Sequence, residues 1–321
     1  IELYETGRKH LGNEVLFAGE LARLYRQQMR YAEAVVEYLK LLTGNAGDVQ
    51  ARNSVAEILF SEAAGATAYR IVGDFADRNP NSLAVGMLSA EAALARGDMA
   101  GAVARVEKLK RDNPGAGEFY AQLAARALDR TVYEDAATLY EISAERESGD
   151  AAFKLLQAGR AWKAAGRMEK AIADFARVAD TMPGSPGADE AVLRLADAYA
   201  ESGDPRRART FYARLAADYP ASPFFGVALL GEARSAFLTG DFAHAGRAFD
   251  SLAENPLTRR YSDEILFYRA EIGLLAVRID EARKLYTLLA EQYPESRFIN
   301  DALERLLFLS DAESADPIQV Q

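Results

Sequence analysis

The chain has 321 residues, half of them hydrophobic, with 38 basic and 48 acidic side chains and a formal charge of −10. That balance, with a pI near 5.0, argues against a nucleic-acid or anionic-membrane partner, because both need a basic surface. The absence of cysteine excludes disulfides, thiol catalysis and Cys-based zinc sites, and no apolar run reaches the roughly 20 residues of a bilayer-spanning helix.

From the N-terminus onward, alanines recur in one context at Ala34, Ala68, Ala102, Ala136, Ala171, Ala208, Ala245 and Ala282. The steps are 34, 34, 34, 35, 37, 37 and 37 residues. Twelve residues before each anchor stands a small residue: Ala22, Ala56, Ala90, Ala124, Gly159, Ala196, Ala233 and Ala270. Four residues after each stands a large one: Tyr38, Val72, Val106, Tyr140, Phe175, Tyr212, Phe249 and Tyr286. Twelve after, proline appears at Pro80, Pro114, Pro183, Pro220 and Pro294.

Residues 196–222 show what one unit builds. Two side chains no larger than methyl, Ala196 and Ala208, let two helix backbones approach, and Tyr199 and Tyr212 cover the contact. Gly203 takes φ > 0 without a Cβ penalty and ends the first helix. Asp204 caps the second helix, Pro205 suits its first turn, and Pro220 stops it.

The step, the small–small pair and the terminal proline resemble the tetratricopeptide repeat family. That resemblance implies an all-α fold, an α-solenoid of helix–turn–helix repeats forming a right-handed superhelix. The aromatic nine residues before the anchor is present as Tyr25, Trp162 and Tyr199 but is replaced by Ala93, Ala127, Ala236 or Gly273 elsewhere.

In chain order, residues 1–12 are expected to be the remnant of a preceding repeat, with Tyr4 in the place of Tyr38. An N-terminal helix that merely fits the spacing is the competing explanation. Residues 13–148 hold four repeats of about 34 residues, with irregular turns near Met29, Ala63, Gly97 and Thr131. Repeat two carries Gly65 and Gly73 and is expected to be the softest. Glu147-Ser148-Gly149-Asp150 is a polar break. Residues 149–297 hold four repeats of about 37 residues. Their added residues follow proline, as in Tyr219-Pro220-Ala221-Ser222-Pro223, and are expected to lengthen the first helices by a serine-capped turn. A capping helix is expected over 298–309 and a tail over 310–321.

The Tyr-Pro-x-Ser segments, with the longer step, are similar to those of Gram-negative envelope tetratricopeptide proteins, of the outer-membrane assembly lipoprotein and Tol–Pal-associated kinds. That similarity implies a periplasmic or outer-membrane-associated location. A cytoplasmic one is the alternative.

The chemistry-bearing residues are sparse. His10 and His244 lie in distant repeats, which argues against a histidine pair or metal site. No Gly-rich phosphate loop with Lys-Ser or Lys-Thr is present. Trp162 reads as core. No catalytic, cofactor-binding or metal-binding residue is assigned. The candidate site is the concave groove lined by first helices. Helical projection from the small residues selects Phe153, Leu156, Arg160, Lys163, Leu193, Asp197, Leu230, Arg234, Phe237, Phe267, Glu271 and Leu274. Aromatic, aliphatic and arginine side chains together suit a binding hot spot. Phe237 and Phe267 are the expected apolar anchors.

The expected function is therefore a non-enzymatic protein–protein interaction scaffold in a bacterial envelope assembly. It would hold a protein or peptide segment in its groove as a subunit of a larger complex. Two readings compete with it: a substrate-recruiting repeat region of a larger enzyme, and a cytoplasmic peptide-binding regulator.

Overall fold

The structure is a computed structural model that describes residues 1–61, 64–114 and 117–314. Among these residues every regular element is helical. The chain divides into two compact units, residues 1–171 and residues from 172 onward.

The first unit opens with α1 (Glu2–Leu11). Four helical pairs follow: α2 (Ala18–Gln27) with α3 (Tyr31–Gly44), α4 (Val49–Leu59) with α5 (Ala66–Arg78), α6 (Leu83–Ala95) with α7 (Met99–Asp112), and α8 (Phe119–Asp129) with α9 (Tyr133–Arg146). Next comes α10 (Ala151–Ala164). The unit boundary falls within α11 (Met168–Thr181). The second unit continues with α12 (Ala188–Glu201) and α13 (Pro205–Asp218), then α14 (Phe225–Leu238) and α15 (Phe242–Glu254). A 3-10 helix, Pro256–Tyr261, leads to α16 (Ser262–Leu275), α17 (Ile279–Gln292) and α18 (Ile299–Ser314).

The packing follows the three recurring positions. All eight anchor alanines are at most 1% exposed, and the small residues twelve earlier are buried with them. The large residues four after each anchor close the same cores. The pair α12–α13 shows the mechanism. Gly203 sits at φ 77, Asp204 accepts a hydrogen bond from the Arg207 amide at 3.0 Å, and Pro205 begins α13. Asp48, Asp98, Asp150 and Asp241 cap their helices in the same way. Each cap satisfies an amide that would otherwise lack a partner.

Two expectations change in detail. The residues added after Pro183, Pro220 and Pro294 form two successive turns, with Ser222 N bonding Tyr219 O and Phe225 N bonding Ser222 O. The serine caps the added turn, as expected, with Ser222 Oγ accepting from the Phe224 amide at 3.0 Å and Ser296 Oγ from the Phe298 amide at 3.2 Å, while Phe224 holds the N-cap of α14 itself. The same hydroxyl also reaches the preceding repeat: Ser222 donates to Asp189 at 2.6 Å and Ser296 to Asp263 at 2.7 Å. The last helix runs to Ser314, beyond the expected stop at 309. The rest of the expected tail, and the expected turn at Ala63, lie outside the described residues.

The polar break at 147–150 is a junction. The Glu147 carboxylate accepts from the amides of Tyr120 and Ala121 at 2.8 and 3.2 Å, which caps α8 from the end of α9 in the same hairpin. Buried Lys154 donates to Ser148 O at 2.7 Å and to Glu118 at 3.0 Å.

Candidate functional site

The expected groove residues divide between the two units. In the first unit, all four lie on α10. Phe153 is 52% exposed, Leu156 is buried, and Arg160 and Lys163 are half-buried.

In the second unit, the residues lie on α12, α14 and α16. Leu193 and Leu230 are core residues, 4% exposed, as Leu156 is at 3%. These three leucines cannot touch a partner without repacking, so they leave the candidate site. The reason is their register. Each stands three residues before a small residue, and positions three apart share one helix face. That face is turned into the packing. Phe267 has the same register and is drawn into an aromatic group. It stacks on Phe298 at 4.7 Å and meets Tyr268 and Tyr286 edge-on. Leu274 packs beside it. Phe267 is half-buried, as Phe237 is.

The residues one after the small position behave differently. Asp197, Arg234 and Glu271 are half-buried and held by neighbours. Tyr212 donates to Asp197 at 2.6 Å and Tyr286 to Glu271. Both pairs are 15 residues apart, a spacing that the sequence carries and the groove projection overlooked. Arg234 pairs at 3.1 Å with buried Glu264, which also takes Arg297 at 2.7 Å. Arg305 reaches Glu271 at 3.0 Å. Burial, then the carboxylate hydrogen bond, pushes the Tyr286 phenol far up; burial does the same to Tyr212, beside Asp197. These phenols stay protonated donors that fix the carboxylates.

Phe237 is half-buried and lies edge-on to Phe242 at 5.4 Å and Tyr268 at 5.1 Å. It adjoins an apolar rim that the groove projection also missed. At the turn between α14 and α15 stand Leu238, 59% exposed, and Phe242, 40% exposed. At the turn between α16 and α17 stand Leu275, 54% exposed, and Val277, 79% exposed. A cleft of about 400 Å³ opens beside them, lined by Phe242, Gly246, Ile272 and Leu275 among others. Val277 has φ 59. It stands one 37-residue step after Gly240 and two after Gly203, both at positive φ. A β-branched residue in the left-handed region is a true outlier.

Trp162 is core, as expected, and its indole donates to Glu141 at 2.7 Å. Among the described residues no group of three or more metal-ligating side chains is found, and no helix is long and apolar enough to cross a membrane.

Residues 163–224 match the family model described as Tetratricopeptide repeat. No curated protein matches the chain. Among solved structures, the C-terminal part of a TPR repeat-containing protein from Cytophaga hutchinsonii is 16% identical, with a TM-score of 0.51 over 77% of this chain and 98% of that one. The pilF protein of Pseudomonas aeruginosa is 17% identical, with a TM-score of 0.45 over 68% and 96%. YrrB, described as a TPR protein with an unusual peptide-binding site, is 14% identical, with a TM-score of 0.48 over 62% and 96%. At such identities the likeness is one of fold. Residues 163–224 thus carry tetratricopeptide repeats, within a chain whose described residues share the all-helical fold of the Cytophaga protein.

Proposed function

We propose that this chain is a protein-interaction scaffold without catalytic chemistry of its own, and that its second unit binds a partner segment. Tetratricopeptide repeats generally mediate protein–protein or peptide contacts, which supports the class. The observation that carries the site is the exposed apolar rim of Leu238, Phe242, Leu275 and Val277 beside Phe237. Exposed apolar clusters mark interaction surfaces. The charges that line the cleft beside the rim, Arg247, Asp250 and Arg278, would set the orientation of the bound segment. Phe153, Arg160 and Lys163 remain candidate contacts in the first unit.

The test begins with capture of a partner from the native host by the full chain. Val277→Gly should stabilise the protein by about 1 kcal/mol by relieving the left-handed strain. The same change should weaken partner binding. Phe237→Ala, once shown to fold by circular dichroism, should cost about 2 kcal/mol of binding or more. Wild-type affinity in both variants would rule this surface out.

The envelope assignment extends the proposal and rests on the Tyr-Pro-x-Ser segments alone. Fractionation of the native host should recover the protein with the periplasm or outer membrane. Recovery with the cytosol would overturn the location and leave the binding proposal standing.

A further inference from the structure

In the second unit, the junctions between successive first helices share one register. Ser222 straps back to Asp189 and Ser296 to Asp263, each across 33 residues. The junction that lies between these two breaks the rule at both ends. One 37-residue step after Ser222 stands Arg259, and one step after Asp189 stands Gly226. A cation stands in the place of the serine, and the carboxylate has no counterpart.

Local packing keeps a side chain out of position 226. The 3-10 helix Pro256–Tyr261 is held by buried Thr258, which donates to Leu252 O at 2.6 Å. This helix brings the Leu257 carbonyl against α14, so that a Cβ at Gly226 would sit 3.1 Å from its oxygen. A cleft of about 570 Å³ opens at the same junction. Pro223, Phe225 and Leu257 give it an apolar wall, with Leu257 63% exposed, and Arg259 and Arg260 give it two cations. Among the described residues no acidic side chain lines it. Both arginines are exposed. Arg260 lies over the Tyr261 ring at 4.7 Å, and neither guanidinium makes a hydrogen bond or ion pair among the described residues. The acids nearest in register, Asp189 and Asp263, face the serines of their own straps.

We propose that this junction docks a partner polypeptide through an acidic side chain next to an apolar one, the carboxylate on Arg259 and the apolar group on Leu257 and Phe225. The planar guanidinium fork matches a carboxylate, and Arg260 adds to the attraction. The apolar wall favours a peptide over a free anion, because an anion alone would leave Leu257 in water. On a chain with a formal charge of −10, a cleft with cations and no acid in its lining is the local exception that an acidic segment can use. The site shares no residue with the rim of Leu238, Phe242, Leu275 and Val277, so either can fail alone.

The experiment uses the full chain and a short fluorescein-labelled peptide alternating aspartate and leucine, followed by anisotropy. A version with asparagine for aspartate and a version with serine for leucine are the comparison probes. The aspartate–leucine peptide should bind about tenfold more tightly than either, or better. Arg259→Ser, which restores the residue type of the register, should lose about tenfold in affinity or more. It should melt with wild type, because the exposed guanidinium has no partner to lose. Leu257→Ser should weaken binding too. Arg206→Ser, on an exposed arginine of α13, should lose nothing. If Arg259→Ser melts lower than wild type, Arg259→Glu decides: it should bind a lysine–leucine peptide more tightly than wild type does, and no gain there refutes the site. Wild-type affinity in Arg259→Ser overturns the proposal. So does an equal loss in Arg206→Ser, equal binding of the aspartate and asparagine peptides, or no binding of the aspartate–leucine peptide at all. If Phe237→Ala loses affinity while Arg259→Ser does not, the peptide sits on the rim; this site is then overturned and the earlier reading stands.

Discussion

Arg8 and Glu37 show how one buried pair ties α1 to the rest of the first unit. Arg8 donates to both Glu37 oxygens, at 3.0 and 2.6 Å, and Lys40 adds a third contact at 2.8 Å. Burial pushes the Glu37 carboxyl pKa up, but hydrogen bonds from Arg8 and Lys40 outweigh it and hold the value below its ordinary 4.5. The folded pKa is therefore the lower one. The stabilisation is complete above the unfolded value and is lost as pH falls through the folded value. Glu37→Gln should lower stability near neutral pH by about 3 kcal/mol. The gap between variant and wild type should close as pH drops below about 4. Denaturant unfolding across that range measures it, and a gap independent of pH would refute the linkage. Nothing in the sequence announces this pair. The two residues are 29 apart, a distance that matches no repeat step.

At the scale of the element, the hairpin was the most legible feature. Ala196 and Ala208 are both fully buried, and their methyl-sized side chains set the distance between α12 and α13. Ala208→Leu should overpack this contact and cost about 1–3 kcal/mol. Exposed Ala213 on the same helix is the control, and equal thermal midpoints for Ala208→Leu and Ala213→Leu would show that the register is wrong. The links between hairpins were less legible. The sequence placed serine after proline, but the length of a cap and the length of a strap look alike in one dimension. Only packing shows that Ser222 reaches back to Asp189 and that Glu147 caps α8. The groove residues failed for a related reason. Leu156, Leu193 and Leu230 face inward because neighbouring repeats close over that face, and a projection of one helix does not contain its neighbours. Asp197, Arg234 and Glu271, one residue after the small positions, are half-buried and held by side chains of neighbouring helices.

At the scale of the whole molecule, stability in a repeat array is local and passes from neighbour to neighbour. The C-terminal core of the second unit gathers Ala270, Ala282, Tyr286 and Leu289 against Ala302 and Leu309 of α18. The hairpin rule stops here. One 37-residue step after Ala270 falls on Leu307, which is 67% exposed. A leucine at the methyl position keeps any second helix from the close approach seen between α12 and α13, so α18 serves its neighbour by covering it. Removing residues 299–321 should therefore expose Tyr286 and Leu289 and loosen α16 and α17 first. Native-state amide exchange on the full and shortened chains reads this directly. Protection should fall most in α17, less in α16, and least in α12 and α13 of the same unit. A uniform fall across α12–α17 would mean that the second unit opens as one cooperative block. Unchanged protection in α17 would mean that the contacts of Leu309 and Ala302 contribute nothing to its stability.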